Sequence, residues 1–319
     1  MTYVLFVIGF IILIKGADLL VDGASSIAKR YKISDIVIGL TIVAFGTSAP
    51  ELMVNLIASY QGNAELAVAN VLGSNIANTL VAIGIAAIIS PLVVKRNTVL
   101  KEIPLEFLAA LVVGFMANDI LIDVGVLSQL SRIDGLVMLC FFGVFLSYTL
   151  SIAKDKQEKP LEAVVKGLSI PYSIAYVLLG LVGLGAGGHW IVEGAVEIAR
   201  TFGMSEALIG TTIIAIGTSL PEIVTSAMSA MKGKKDIAIG NAVGSNIFNI
   251  FWVLALSSTL SPLPFNPIIN MDILVNIGAS ALLFLFLYVS NPKHELRRVH
   301  GILFIFIYIG YLSYTIYRG

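Results

Sequence analysis

Charge is scarce in this chain. Asp, Glu, Lys and Arg make up 13% of its 319 residues, about half of the roughly 25% found in ordinary soluble domains. What charge there is balances, twenty basic residues against twenty acidic, so no basic domain exists to hold nucleic acid. Cysteine is nearly missing. Cys140 stands alone, which excludes an internal disulfide and a cysteine-built metal site. The three histidines, His189, His294 and His300, have no ligand spacing. No glycine-rich phosphate loop is present, so no nucleotide is expected as energy source. The opening residues, MTYVLFVIGFIILIKGADLL, lack the basic leader and small-residue cleavage site of a removed signal, and are expected to stay as a first membrane helix.

What fills the chain is apolar. Such residues make up 57% of it, and the mean hydropathy is +0.94. A soluble fold of this size cannot hide that much apolar surface, so the bilayer must be its solvent. An all-α membrane protein follows. A span needs about 20 mostly apolar residues, and ten such stretches lie near 2–28, 36–60, 65–91, 101–117, 133–153, 169–200, 207–231, 236–260, 269–290 and 299–317. The longest polar connection, Ala153 to Gly167, is too small for a folded regulatory domain. It divides the chain into a first five-helix unit (1–152), a short connection (153–168) and a second five-helix unit (169–319). Sixteen Lys and Arg residues fall in alternate connections and three, Arg132, Arg200 and Arg318, on the opposite side. By the positive-inside rule the central connection is cytoplasmic and both termini are extracellular, in a multi-pass protein of the cell membrane.

Shifted by 171 residues, the sequence finds itself. IGLTIVAFGTSAPE (Ile38 to Glu51) matches IGTTIIAIGTSLPE (Ile209 to Glu222) at 10 of 14 positions, and NVLGSNIAN (Asn70 to Asn78) matches NAVGSNIFN (Asn241 to Asn249) at 6 of 9. Five spans per copy is an odd number, so the second copy enters the membrane from the other side. Inverted repeats of this kind are an architecture of secondary transporters, with the binding site between the halves near the midplane.

Glu51 and Glu222 lie mid-span. A carboxylate at that depth costs about 2.5–3.5 kcal/mol on insertion scales, and no Lys or Arg lies at matching depth in the same spans, so a bound cation is the expected countercharge. Pro50 and Pro221 precede the acids and remove a backbone donor, which is expected to free carbonyls near Ala44, Gly46 and Thr47 and near Ala215, Gly217 and Thr218. With Thr, Ser and Glu oxygens these offer all-oxygen ligation, which suits Ca²⁺ and Na⁺ rather than Zn²⁺ or copper. Ser74 and Asn78 share one helix face, as do Ser245 and Asn249, and can point neutral oxygens at the acids. Asn75 and Asn246 divide between a ligand role and interhelical hydrogen bonding.

These paired GTSxPE and GSN blocks resemble the α-repeats of the Ca²⁺/cation antiporter superfamily, and within it most of all the sodium/calcium exchangers. The resemblance spans essentially the whole chain. Ala69 stands where the pattern usually has glycine, as in Gly240. The resemblance implies that helices 2, 3, 7 and 8 form the ion core. Glu51 and Glu222 would bind Ca²⁺ with the Thr47 and Thr218 carbonyls. Sodium would use the same acids plus the Ala44 and Ala215 carbonyls, Thr47, Thr218, Ser74 and Ser245, with Asn78 and Asn249 at a middle site. Potassium-dependent relatives, and some archaeal exchangers, carry Asp at the Asn249 position; the neutral amide removes a negative charge and argues against K⁺ co-transport. Helices 1 and 6 would slide across the core to switch access. They hold Lys15 and Asp18, three apart and able to pair, as well as Asp22, His189 and Glu193, expected in local pairs or beside the ion path. The implied protein is an antiporter without cofactor, an electrogenic monomer, prokaryotic in type, whose substrates are Na⁺ and Ca²⁺ and whose surroundings are lipid. A Ca²⁺/H⁺ antiporter is the alternative. A channel fits less well, since packed ligating acids bind too tightly for fast conduction. An intramembrane protease fits least, since its GxGD motif is missing.

Overall fold

In hydrocarbon the backbone has no water to bond, so each span satisfies its own N–H and C=O groups as a helix. The computed structural model describes residues 2–123, 127–154, 167–202, 215–290 and 293–318. Ten helical rods run through them, besides a short helix at Asp119–Asp123. They are α1 (Thr2–Tyr31), α2 (Asp35–Thr47 and Ala49–Tyr60), α3 (Ala64–Ile89), α4 (a π-helical turn at Thr98–Glu102 leading into Ile103–Met116), α5 (Arg132–Lys154), α6 (Ile170–Thr201), α7 (Ala215–Thr218 and Leu220–Met231), α8 (Lys235–Leu260), α9 (Pro267–Val289) and α10 (Arg298–Arg318). Seven of these are long and apolar enough to cross a membrane, and α2, bent by 45° at Ser48, makes up to eight. Of the other two, α4 carries Lys101, Glu102 and Glu106 within its length, and α7 is described only from Ala215. Residues 209–214 of the second GTSLPE block, and 155–166 of the central connection, lie outside the described residues.

Burial sorts the rods. The apolar stretch of α8 is 94% buried and that of α3 is 72% buried, against 17–39% for α1, α5, α6, α9 and α10. The GSN helices therefore form the centre. The outer rods turn Val4, Ile11, Ile133, Val182 and Phe306 outward, as lipid-facing surfaces do. Around α3 and α8 packs one apolar cluster that includes Leu72, Ile76, Ile103, Phe145, Ile247, Phe251 and Phe304.

α1 and α6 form a pair of their own, antiparallel and in backbone contact. Gly9, Gly16 and Gly23 recur every seven residues, as do Gly180, Gly187 and Gly194, 171 positions later. A Cβ on Gly16 would lie 2.7 Å from the Leu184 nitrogen and 2.9 Å from the Gly180 oxygen. One on Gly180 would lie 2.7 Å from the Leu20 nitrogen and 2.8 Å from the Gly16 oxygen. Small residues permit this approach, as at other membrane helix interfaces.

The two ends of the bundle differ. At one end Lys232 pairs with Asp18 and Asp22, Lys234 with Asp35 at 3.3 Å and Lys95 with Asp236 at 3.5 Å. There a two-residue strand β1 (Leu92–Val93) pairs antiparallel with β4 (Glu295–Leu296). At the other end β2 (Gln129–Leu130) pairs with β3 (Leu263–Pro264), Asn118 with Asn270, and Arg318 with Asp272 at 3.0 Å. Lysine-rich connections thus gather at one face. Asp18 takes its partner from α7, not from Lys15, whose side chain is exposed. The i,i+3 spacing allows a pair within α1, but Asp18 meets the half-buried Lys232 at 2.6 Å instead, which ties α1 to the end of α7. His189 and Glu193 form a local pair at 3.3 Å.

Candidate cation site

Both GTSxPE helices break at the serine. Ser48 has φ −82° and ψ 6°, and Ser219 has φ −84° and ψ −1°; the next segment restarts with proline in its first two positions and the glutamate in its first turn. Proline suits a helix start because its absent N–H is not needed there. Each acid therefore sits at the positive end of a half-helix dipole. Proline also leaves the Gly46 and Gly217 carbonyls without their i+4 donor. The Ala44 carbonyl is less free than the proline alone suggests. It accepts the Ser48 N–H at 3.0 Å and faces the Ser245 hydroxyl at 3.4 Å, because the break falls after Ser48 and the first segment keeps its last turn. Ala215 opens the described part of α7, and Ser219 N–H bonds the Ile216 carbonyl at 3.1 Å.

Glu51 and Glu222 are fully buried. Oε1 of Glu51 accepts the Ser74 hydroxyl at 3.3 Å. Oε1 of Glu222 accepts Ser48 at 3.1 Å and Ser245 at 3.4 Å. Each acid thus meets the GSN serine of its own half. The threonines cross over. Thr47 donates to Oδ1 of Asn241 at 3.0 Å and lies 3.4 Å from the Ser245 hydroxyl, while Thr218 donates to Oδ1 of Asn70 at 3.2 Å and lies 3.4 Å from the Ser74 hydroxyl. These contacts recur at the 171-residue offset except one: Ser48 reaches Glu222, whereas the hydroxyl of its mate Ser219 has no partner. The halves are interlocked, with the threonine of each seated on the asparagine and serine of the other.

Asn78 and Asn249 each open a π-helical turn, at Asn78–Ala82 and Asn249–Leu254. Such turns widen the helix locally and often sit at functional positions. Nδ2 of Asn78 donates to Oδ1 of Asn246, and Nδ2 of Asn249 to Oδ1 of Asn75, both at 3.1 Å. Asn75 in turn donates to the Asn246 backbone carbonyl at 3.1 Å. Asn75 and Asn246 therefore stitch α3 to α8, and Asn246 also donates to Glu106 of α4 at 2.6 Å.

Four of the buried acceptor oxygens left without a donor belong to this set, Oε2 of Glu51, Oε2 of Glu222, Oδ1 of Asn78 and Oδ1 of Asn249; Oδ1 of Asn55 and Oε2 of Glu102 and Glu106 also lack one. Neither acid has a basic partner among the described residues. An unpaired buried acceptor costs about 1–3 kcal/mol, more for a charged group. Nor do three His, Cys, Asp or Glu side chains come together among the described residues. What this set can hold is a hard cation on mixed carboxylate and neutral oxygens.

The sequence reading passed over Ser48, Asn70, Asn241 and Glu106. Ser48 and its mate Ser219 lie within the GTS triplets, and Asn70 and Asn241 open the second blocks, so the repeat itself was the available signal. Asn241 also donates to the Glu222 backbone carbonyl at 3.1 Å and to Ser226 at 2.9 Å. Glu106 has no repeat mate, since Ile277 stands at its offset. Its signal was only an acid in an apolar run.

The family described as sodium/calcium exchanger protein matches residues 1–151 and 172–317. The putative antiporter CaxA of Alkalimonas amylolytica is 39% identical over 311 residues, 95% of either chain. The sodium/calcium exchanger MaX1 of Methanosarcina acetivorans is 29% identical across 99% of this chain and 98% of its own. Among solved structures, the sodium-calcium exchanger NCX_Mj soaked with Na⁺ and Ca²⁺ superimposes with a TM-score of 0.84 at 32% identity, over 98% of this chain and 97% of that one. Family match, full-length relatives and fold agree: the chain belongs to the sodium/calcium exchanger protein family and is a membrane antiporter of cations.

Proposed function

We propose that the protein exchanges Na⁺ for Ca²⁺ by alternating access, that the exchange moves net charge, and that it needs no K⁺. The observation that carries this reading is the set of donorless buried oxygens on Glu51, Glu222, Asn78 and Asn249. Ca²⁺ sits between the two carboxylates, which match its charge, with the Thr47 and Thr218 carbonyls completing the shell. Sodium ions share the carboxylates and add the Ala44 and Ala215 carbonyls and the hydroxyls of Thr47, Thr218, Ser74 and Ser245. These hydroxyls spend their protons on neighbours and keep lone pairs to offer. With Asn78 and Asn249 between them, there are oxygens for a third Na⁺. One Ca²⁺ against three Na⁺ transfers one charge per cycle, whatever charge the rest of the carrier holds, because the carrier returns to its starting state.

Two five-helix units, 1–152 and 169–319, of opposite orientation make the site nearly identical from either side, which a carrier alternating between two faces needs. The glycine-lined α1–α6 pair is the element that slides. The lysine-rich end faces the cytoplasm, both termini face outward, and a monomer in the cell membrane suffices. The deciding experiment is uptake of radiolabelled calcium into proteoliposomes loaded with Na⁺, K⁺ or an acidic buffer. Uptake driven by Na⁺ alone supports the reading. Uptake driven by protons and indifferent to Na⁺ overturns it in favour of Ca²⁺/H⁺ exchange.

A further inference from the structure

Glu106 of α4 is 2% exposed. Its Oε1 accepts three neutral donors: Nδ2 of Asn246 at 2.6 Å, Oγ1 of Thr79 at 3.0 Å and Oγ of Ser280 at 3.2 Å. They come from α8, α3 and α9. The relay continues inward. Thr79 spends its only proton on Glu106, so its oxygen accepts Nδ2 of Asn246 at 2.8 Å. With its amino end committed to two acceptors, Asn246 turns Oδ1 the other way, where it accepts Nδ2 of Asn78. Asn78 then turns its own Oδ1 away, buried and without a donor. A carboxamide has one accepting and one donating end, so the direction of each amide sets the next.

The other half reaches the same result by another means. Asn75, the mate of Asn246, has no acid beside it and donates to the Asn246 backbone carbonyl, which leaves its Oδ1 to accept Asn249. Here a main-chain carbonyl fixes the polarity that Glu106 fixes opposite.

We propose that Glu106 is a positioning residue which, through Asn246, turns the Asn78 amide oxygen toward the transported cation. The inference rests on the functional reading above. Without Glu106, Thr79 regains a proton to donate, and Asn246 is held equally well in either direction. In the reversed arrangement Asn246 donates to Asn78, and Asn78 presents its amino end to the cation.

The test is calcium binding by purified protein, with sodium-driven uptake alongside, for Glu106→Leu, Glu106→Gln, Asn78→Ala and the double variant Glu106→Leu/Asn78→Ala. Glu106→Leu is expected to raise half-saturating Ca²⁺ about tenfold, the scale of one hydrogen bond to a charged partner. Glu106→Gln keeps an acceptor for Asn246 and recovers most of that loss. In the Asn78→Ala background, Glu106→Leu changes affinity less than about twofold, because the relay no longer has an end. Additive losses, an unchanged Glu106→Leu, or a Gln variant as weak as Leu each overturn the proposal. Glu106→Met, flexible and of similar length, replaces Leu if that variant does not purify as a single species. A wild-type protein that binds Ca²⁺ yet does not exchange it for Na⁺ refutes the functional reading, while the binding cycle still decides the relay. A wild-type protein that binds no Ca²⁺ overturns both.

Discussion

Replacing Glu222 by Gln separates the charge of the site from its shape. The amide oxygen can keep the place of Oε1 and go on accepting Ser48 and Ser245, at 3.1 and 3.4 Å in the native protein. The amino group then occupies the place of Oε2, which has no donor in the native protein, and points two protons where a cation would sit. The fold loses neither hydrogen bond, and a neutral amide is cheaper than a carboxylate at this depth. Yield and melting temperature in detergent should therefore match wild type or exceed it. The cation loses a partner. Breaking a buried ion pair from one side costs about 3–5 kcal/mol, and about 1.4 kcal/mol is tenfold, so calcium affinity should fall by roughly 100- to 4,000-fold. Sodium, with half the charge, should lose less, and the variant should shift toward Na⁺ over Ca²⁺. Glu51→Gln should behave alike, since Oε1 of Glu51 meets Ser74 as Oε1 of Glu222 meets Ser245. Calcium binding and sodium-driven uptake by the purified variants are the assays. Near-wild-type uptake by either well-folded variant would refute the assignment of the two carboxylates as the calcium ligands.

Three further outcomes are expected. Sodium-driven calcium flux should be the same with K⁺ and with an inert replacement cation, since Asn78 and Asn249 carry no charge; Asn249→Asp should make it sensitive to K⁺ or to pH, and a strict K⁺ requirement in the native protein contradicts the reading. Flux should respond to voltage: a charge crossing 100 mV gains about 2.3 kcal/mol, about fiftyfold, so an inside-negative clamp set with valinomycin should favour sodium entry and calcium exit, and flux blind to voltage means that only two Na⁺ move or that a proton compensates. Gly16→Ala places a methyl group 2.7 Å from the Leu184 backbone nitrogen, and such overpacking costs about 1–3 kcal/mol; thermal unfolding in detergent should shift down, and an unchanged transition would show that α1 and α6 are not held in backbone contact.

Much of this protein was legible before any coordinate. Its apolar composition required a bilayer, because nothing else solvates that much hydrocarbon. The 171-residue offset paired Glu51 with Glu222, Ser74 with Ser245 and Asn78 with Asn249. Proline before each acid marked the helix breaks, because proline lacks a donor in any context. These are local properties of residues or of periodicity, and survive without knowledge of what lies across the helix. What only the tertiary structure decided was which partner each polar atom found. That Thr47 bonds Asn241 and Thr218 bonds Asn70, across the two halves, follows from how α2 lies on α8 and α7 on α3. That Asp18 pairs with Lys232, 214 residues away, and not with Lys15 is a matter of helix packing. Glu106 carries no mate in the repeat and no motif, so its place beside Asn246 appeared only when α4 was set against α8. Hydrogen bonds act over about 3 Å, and no spacing along the chain reports a distance that only packing between helices creates.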